Sequence, residues 1–154
     1  MNIDSQITNA IVEWKYLSKI GYSLFHPIYS KEQQSIKVYF IHVEFQNKTN
    51  SRILSFSVFN KSTNESAAYN ITIVIRCLNC NNAKHIIFDF NEYLNKNERS
   101  IEIQKFFFQF PSFEYNEDTV KTTLSNIESI FNEKEIHDML CNEKWLDNYF
   151  YDFR

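Results

Sequence analysis

In Tyr69-Asn70-Ile71-Thr72-Ile73-Val74-Ile75-Arg76-Cys77 every odd-numbered position carries a large apolar side chain or a thiol, while Asn70, Thr72 and Arg76 stand between them. A period of two is the side-chain period of a β-strand with one face turned to a core, so this segment reads as a strand. The same period runs outward on both sides. Ile36 to Gln46 carries Tyr39, Ile41, Val43 and Phe45 in one phase, and Leu54, Phe56 and Val58 alternate with Ser55 and Ser57. Ile86, Phe88 and Phe90 form a shorter candidate, and Ile101 to Phe110 a long one whose apolar phase slips between Ile103 and Phe106, as a β-bulge would make it do. The connections Gln46 to Arg52, Asn60 to Ala68 and Asn79 to Lys84 are short and polar, which predicts an antiparallel meander.

The period is helical at both ends of the chain. Ile7, Ile11, Trp14 and Leu17 predict one amphipathic helix over residues 5 to 20, with Asp4 or Ser5 as its cap and Gly21 at the position of a C′ glycine. Beyond Pro111, Asp118 or Thr119 caps a helix with the stripe Val120, Leu124, Ile127 and Phe131. Asn132 with Glu135 has capping-box spacing for a last helix carrying Ile136, Met139, Leu140, Leu146 and Phe150. The expected fold is α+β over a single domain, 1–154: an N-terminal helix, an antiparallel sheet of about five strands and two C-terminal helices.

Gly21 is the only glycine among 154 residues. Phosphate-cradling loops, dinucleotide fingerprints and nucleophile elbows need two or more glycines at fixed offsets, so none of them is present. No apolar run approaches a membrane span, and the start Met-Asn-Ile-Asp lacks the features of a secretory leader, so a cytoplasmic protein is expected. Three cysteines in that setting are expected to be reduced thiols. The net charge of −3 conceals an asymmetry: residues 1 to 110 carry 12 Lys and Arg against 9 Asp and Glu, whereas residues 111 to 154 carry 4 against 10. Such an acidic end repels nucleic acid and attracts basic surfaces.

Several residue groups suggest chemistry. Cys77 and Cys80, joined by His137 and Cys141 four apart on one helix face, have the donor types of a tetrahedral zinc site. The pairs are too far apart in sequence for a compact zinc finger and Cys77 is in core phase, so buried or half-buried thiols are the preferred reading and neither metal nor cofactor is expected. A redox Cys-x-x-Cys normally opens a helix, whereas Asn81-Asn82 reads as a turn. Val12-Glu13-Trp14-Lys15, with Asp4 upstream, matches an element of metal-dependent nucleases that belongs on a strand, but here it falls in a helical pattern. His42 shares a strand face with Glu44, a pair expected to be structural or solvated, not acid and base. Phe106-Phe107-Phe108, with Phe110 and Phe113, lacks the basic groove of a single-strand binder and is expected to be mostly core.

With no catalytic motif, the expected class is a protein that binds a protein. In size, acidity, reduced cysteines and aromatic content the whole chain resembles the small cytoplasmic immunity proteins that bacteria encode beside secreted or contact-delivered toxins. The resemblance implies an inhibitor of a cognate toxin with a basic, nuclease-like surface, and neither nucleic acid nor membrane as a direct partner. No residue role is transferred by it. Charge and placement point to Glu135 and Asp138 as the outward acidic face, with Glu128 and Glu133 near them. If the last helix is unbroken, Trp145 lies opposite its apolar stripe and is a candidate anchor. A break near Cys141-Asn142 would instead place Trp145 and Tyr149 in a satellite core. The alternatives are a small-ligand or catalytic α+β domain with an aromatic pocket, and a secretion chaperone.

Overall fold

The computed structural model describes residues 3–25, 29–33, 38–62, 67–99 and 117–149. The α+β architecture is as expected, with an antiparallel sheet, a helical start and two C-terminal helices. Its elements are α1 (Ile3–Val12), α2 (Lys15–Lys19), β1 (Ser23–Leu24), β2 (Tyr29–Gln33), β3 (Val38–Asn47), β4 (Arg52–Ser62), β5 (Ala67–Cys77) and β6 (Ile87–Asp89). Then follow α3 (Phe90–Lys96), α4 (Glu117–Phe131) and α5 (Lys134–Cys141). The sheet order is β1-β3-β4-β5-β6, and β2 pairs with β3 on the edge that β1 also uses. The long expected strand Ile101 to Phe110, and the Phe106 to Phe113 aromatics, lie outside the described residues.

β3, β4 and β5 form the meander, in register Val43↔Phe56↔Ile73 and Phe45↔Leu54↔Ile75. These six side chains are buried and join Ile11, Leu17, Tyr22, Phe88, Phe90, Leu94, Ile127, Phe131, Ile136, Met139 and Leu140 in one core. The helices therefore pack on the face that the alternation marks as apolar. His42, Glu44, Ser55, Ser57, Thr72 and Arg76 occupy the other face.

Helix boundaries depart from the sequence pattern where tertiary packing competes with local signals. The expected helix 5 to 20 is two helices, because Trp14 takes an extended backbone (φ −70°, ψ 105°). Its ring stacks on Tyr16 at 5.4 Å and meets Phe56 and Phe131 at 6.2 Å, contacts that tie the break to the core. Gly21 closes α2 as expected: it adopts φ +92°, the Gly21 N–H donates to Ser18 O and the Tyr22 N–H to Leu17 O, a Schellman motif. Phe90 belongs to α3 instead of a strand, because Asp89 caps the new helix by accepting from the Asn91 and Glu92 amides. Asp118 and Thr119 lie inside α4, and the residue preceding α5 is Glu133, not Asn132. Asn132 instead accepts the Tyr16 hydroxyl at 2.6 Å. α5 ends at Cys141, so Leu146 lies beyond it. Among the described residues no helix is long and apolar enough to cross a membrane.

Candidate functional site

The C-terminal segment bears the acidic residues singled out from sequence, and the fold sorts them. Glu133, in the turn between α4 and α5, takes a two-pronged ion pair from Arg99 just beyond α3, with both N···O distances 2.7 Å. It is a fastener between helices. Asp147 accepts the Lys84 and His85 amides at 2.5 and 2.6 Å. Desolvation pulls its carboxyl upward, but those two amides and the nearby His85 and Lys84 charges prevail and hold it below the ordinary carboxylate range. Glu135 and Asp138 are three apart on α5, hence neighbours on its surface, while Ile136, Met139 and Leu140 face inward. Glu135 is half-exposed and 3.9 Å from the equally exposed Lys144 ammonium, and Asp138 accepts from the Asn142 side chain at 3.2 Å. Glu128 is half-buried on α4, close enough to Tyr16 to assist burial and Cys141 in pushing the phenol up to about 12.

The break after Cys141 of the second sequence alternative is present, but Trp145 and Tyr149 pack against the main core and not in a satellite core of their own. With α5 ended at Cys141, the Trp145 ring packs on the core edge at 6.5 Å from Phe88, its indole N–H donates to His85 O at 2.8 Å, and Tyr149 packs on Phe88 and Tyr93. It is a half-buried support of the segment, not a free-standing anchor on the acidic face.

The four cysteine and histidine residues considered for zinc do not assemble. Cys77 and Cys80 join each other in a disulfide, against the expectation of reduced thiols, and Cys141 stays a free thiol 3.7 Å from His137 Nε2. No group of three His, Cys, Asp or Glu side chains is placed to hold a metal among the described residues. The turn at Asn81-Asn82 was read correctly, but the sequence reading missed that the chain bends back before it and brings Cys80 to Cys77.

Arg52 was missed as well. It stands in the core phase of β4, directly across from Cys77 in the register, and is 1% exposed. Its Nε donates to Met139 O at 3.1 Å. Its Nη1 donates to Asn50 O, to Asn79 Oδ1 and, at 2.8 Å, to Cys77 Sγ, and its Nη2 donates to Asn142 O and Lys144 O. Trp145 covers the guanidinium, its ring centre 5.1 Å from Cζ. Arg52 thus caps the C-terminal end of α5, where the helix dipole is negative and the last carbonyls lack partners. Asn50 and Tyr22 assist by donating to Leu140 O at 2.8 and 2.7 Å. An arginine in phase with Leu54 and Phe56 was the available signal.

On the opposite face His42 links Ser57 Oγ (3.0 Å to Nδ1) to Glu44 (2.7 Å to Nε2), and Arg76 holds the other Glu44 oxygen at 3.1 Å. The order Ser-His-Glu is that of a nucleophile, base and orienting acid. Acyl transfer also needs N–H donors aimed at a developing oxyanion, and here the serine sits in the middle of a strand paired on both sides, where backbone amides belong to the ladder. These contacts form a polar network that crosses β3, β4 and β5. Glu13 and Lys15 are exposed, at the α1–α2 break and the start of α2, and neither is on a strand.

No protein-family model, no curated protein and no solved structure matches this chain.

Proposed function

We propose that this protein works by binding another protein, as a non-catalytic cytoplasmic inhibitor of the immunity type that neutralises a toxin with a basic, nuclease-like surface. One observation carries the reading: the negative charge concentrated beyond residue 110 includes Glu135 and Asp138, side by side on α5 while the helix's apolar stripe faces the core. Glu128 contributes from α4. With Glu133 committed to Arg99 and Trp145 to Arg52 and His85, the proposed contact surface narrows to Glu128, Glu135 and Asp138. Such carboxylates steer a basic partner into encounter and act mainly on the association rate.

The test is capture of a partner from the native host by the tagged whole chain, followed by binding kinetics over a salt series. Glu135→Lys with Asp138→Lys is expected to slow association about tenfold at low salt and to flatten its salt dependence, with dissociation little changed. Folding of the double variant is checked first by circular dichroism. Wild-type association rates at every salt concentration would move the interface away from α5, and capture of a small molecule in place of a protein would favour a ligand-binding domain.

A further inference from the structure

The Arg52 socket contains a buried cation whose hydrogen-bond partners are all neutral. They are four backbone carbonyls, one side-chain amide oxygen and the sulfurs of the Cys77–Cys80 disulfide, with Nη1 2.8 Å from Cys77 Sγ and 3.7 Å from Cys80 Sγ. Reduction of that disulfide creates an anion at the atom the guanidinium already touches. The two sulfurs also differ in access: Cys77 is 1% exposed, whereas Cys80 is half-buried in a loop whose neighbour Leu78 is 59% exposed.

We propose that Cys77 and Cys80 form a thiol–disulfide exchange site, in which Cys80 is the sulfur attacked from outside and Cys77 the sulfur released as a thiolate against Arg52. The co-reactant is a dithiol. One of its thiolates attacks Cys80 Sγ, forming a mixed disulfide; the Sγ–Sγ bond breaks and its electron pair goes to Cys77. The second thiol of the co-reactant, as thiolate, then attacks its own bridged sulfur, closing its disulfide and releasing Cys80, which takes up a proton. In sum the protein disulfide gains two electrons, the dithiol becomes a disulfide, Cys80 becomes a thiol, Cys77 remains a thiolate and one proton is left in solvent.

Leaving-group stability and access govern such exchange, and a thiolate beside an arginine is more stable than one in water. In thiol–disulfide enzymes that stabilisation commonly comes from a helix N-terminus; here the guanidinium supplies it, so a turn after Cys80 is no obstacle. Asn79 Oδ1 lies 3.2 Å from Arg52 Nη1 and from Cys77 Sγ and 3.9 Å from Cys80 Sγ, where it can accept a hydrogen bond from the Cys80 thiol after reduction. Among the described residues, Tyr22 and Glu143 are the ionisable groups that act on the Arg52 charge. The Tyr22 phenol is pushed upward by burial and stays neutral, leaving Glu143 as the opposing charge.

The site is independent of the toxin-binding reading, and its test uses the whole chain carrying Cys141→Ser, which removes the one free thiol. Reduced protein is titrated by thiolate ultraviolet absorbance. Oxidised protein is treated with glutathione, quenched with acid and mapped by mass spectrometry. The expected results are one thiol titrating at least about one pH unit below the ordinary thiol value of roughly 8.5, and glutathione found on Cys80. Arg52→Met is expected to cut the thiolate fraction at neutral pH about tenfold; if that variant does not fold, the titration and the mapping decide by themselves. Both thiols titrating at or above the ordinary value would overturn the proposal, as would glutathione on Cys77.

Discussion

Single residues in this fold are constrained by backbone as much as by contact. Gly21 and Glu98 occupy the same place, one residue beyond a helix C-cap with positive φ (+92° and +57°), each followed by a residue whose N–H returns to the helix, Tyr22 to Leu17 O and Arg99 to Leu94 O. Only one of the two is a glycine. A side chain in the left-handed region costs about 1–2 kcal/mol, and a Cβ on Gly21 would also stand 3.2 Å from Asn47 Nδ2. Gly21→Ala is therefore expected to lower stability by about 1–2 kcal/mol, and Glu98→Gly to raise it by about 0.5–1 kcal/mol. Urea unfolding of the two variants checks this, and shifts of the same sign would refute it. The Gly21 cap was legible because glycine after an apolar stripe has few other meanings; the Glu98 cap was not, since glutamate carries no such signal.

At the level of elements, the strands were the readable part and the helix ends were not. Ile73 lies in the middle of β5, opposite Phe56, and is 1% exposed, so Ile73→Ala is expected to cost about 2–5 kcal/mol in the same unfolding experiment. An unchanged midpoint would mean that the register differs. The period of two survives folding because side chains on one sheet face share one core. Helix boundaries were lost where a distant group took over: Trp14 leaves the helical path for Phe56 and Phe131, and Asp89 captures two amides and turns a strand pattern into a cap. The end of α5 was hidden for the same reason. Its carbonyls are met by Tyr22, Asn50 and Arg52, which no local pattern places there.

For the molecule as a whole, the segment after α5 is clasped to the sheet by a few polar groups. Asp147 holds the loop before β6, and the Asp89 N–H donates to Tyr149 O at 2.7 Å. A carboxyl held below its ordinary value stabilises the fold fully above the unfolded value, and that stabilisation is lost as pH falls through the folded one. Hydrogen exchange at the Lys84 and His85 amides, corrected for intrinsic rates, is thus expected to lose protection as pH drops below about 4, and to be fast at neutral pH in Asp147→Asn. Protection unchanged in that variant would assign the loop's order to packing alone. The acidic segment was visible as charge, but which carboxylates are committed within the fold depended on partners such as Arg99 and the Lys84 amide, remote in sequence. The acceptors that surround Arg52 also arrive late, since Met139 follows it by 87 positions. During synthesis the β3–β4–β5 meander emerges while its inward-facing guanidinium still has no helix end to receive it, so this face of the sheet cannot close dry until α5 and the residues just after it have emerged. A chain that stops short of α5 is therefore expected to keep an open, charged seam in its sheet, since the carbonyls of Met139, Asn142 and Lys144 would be missing.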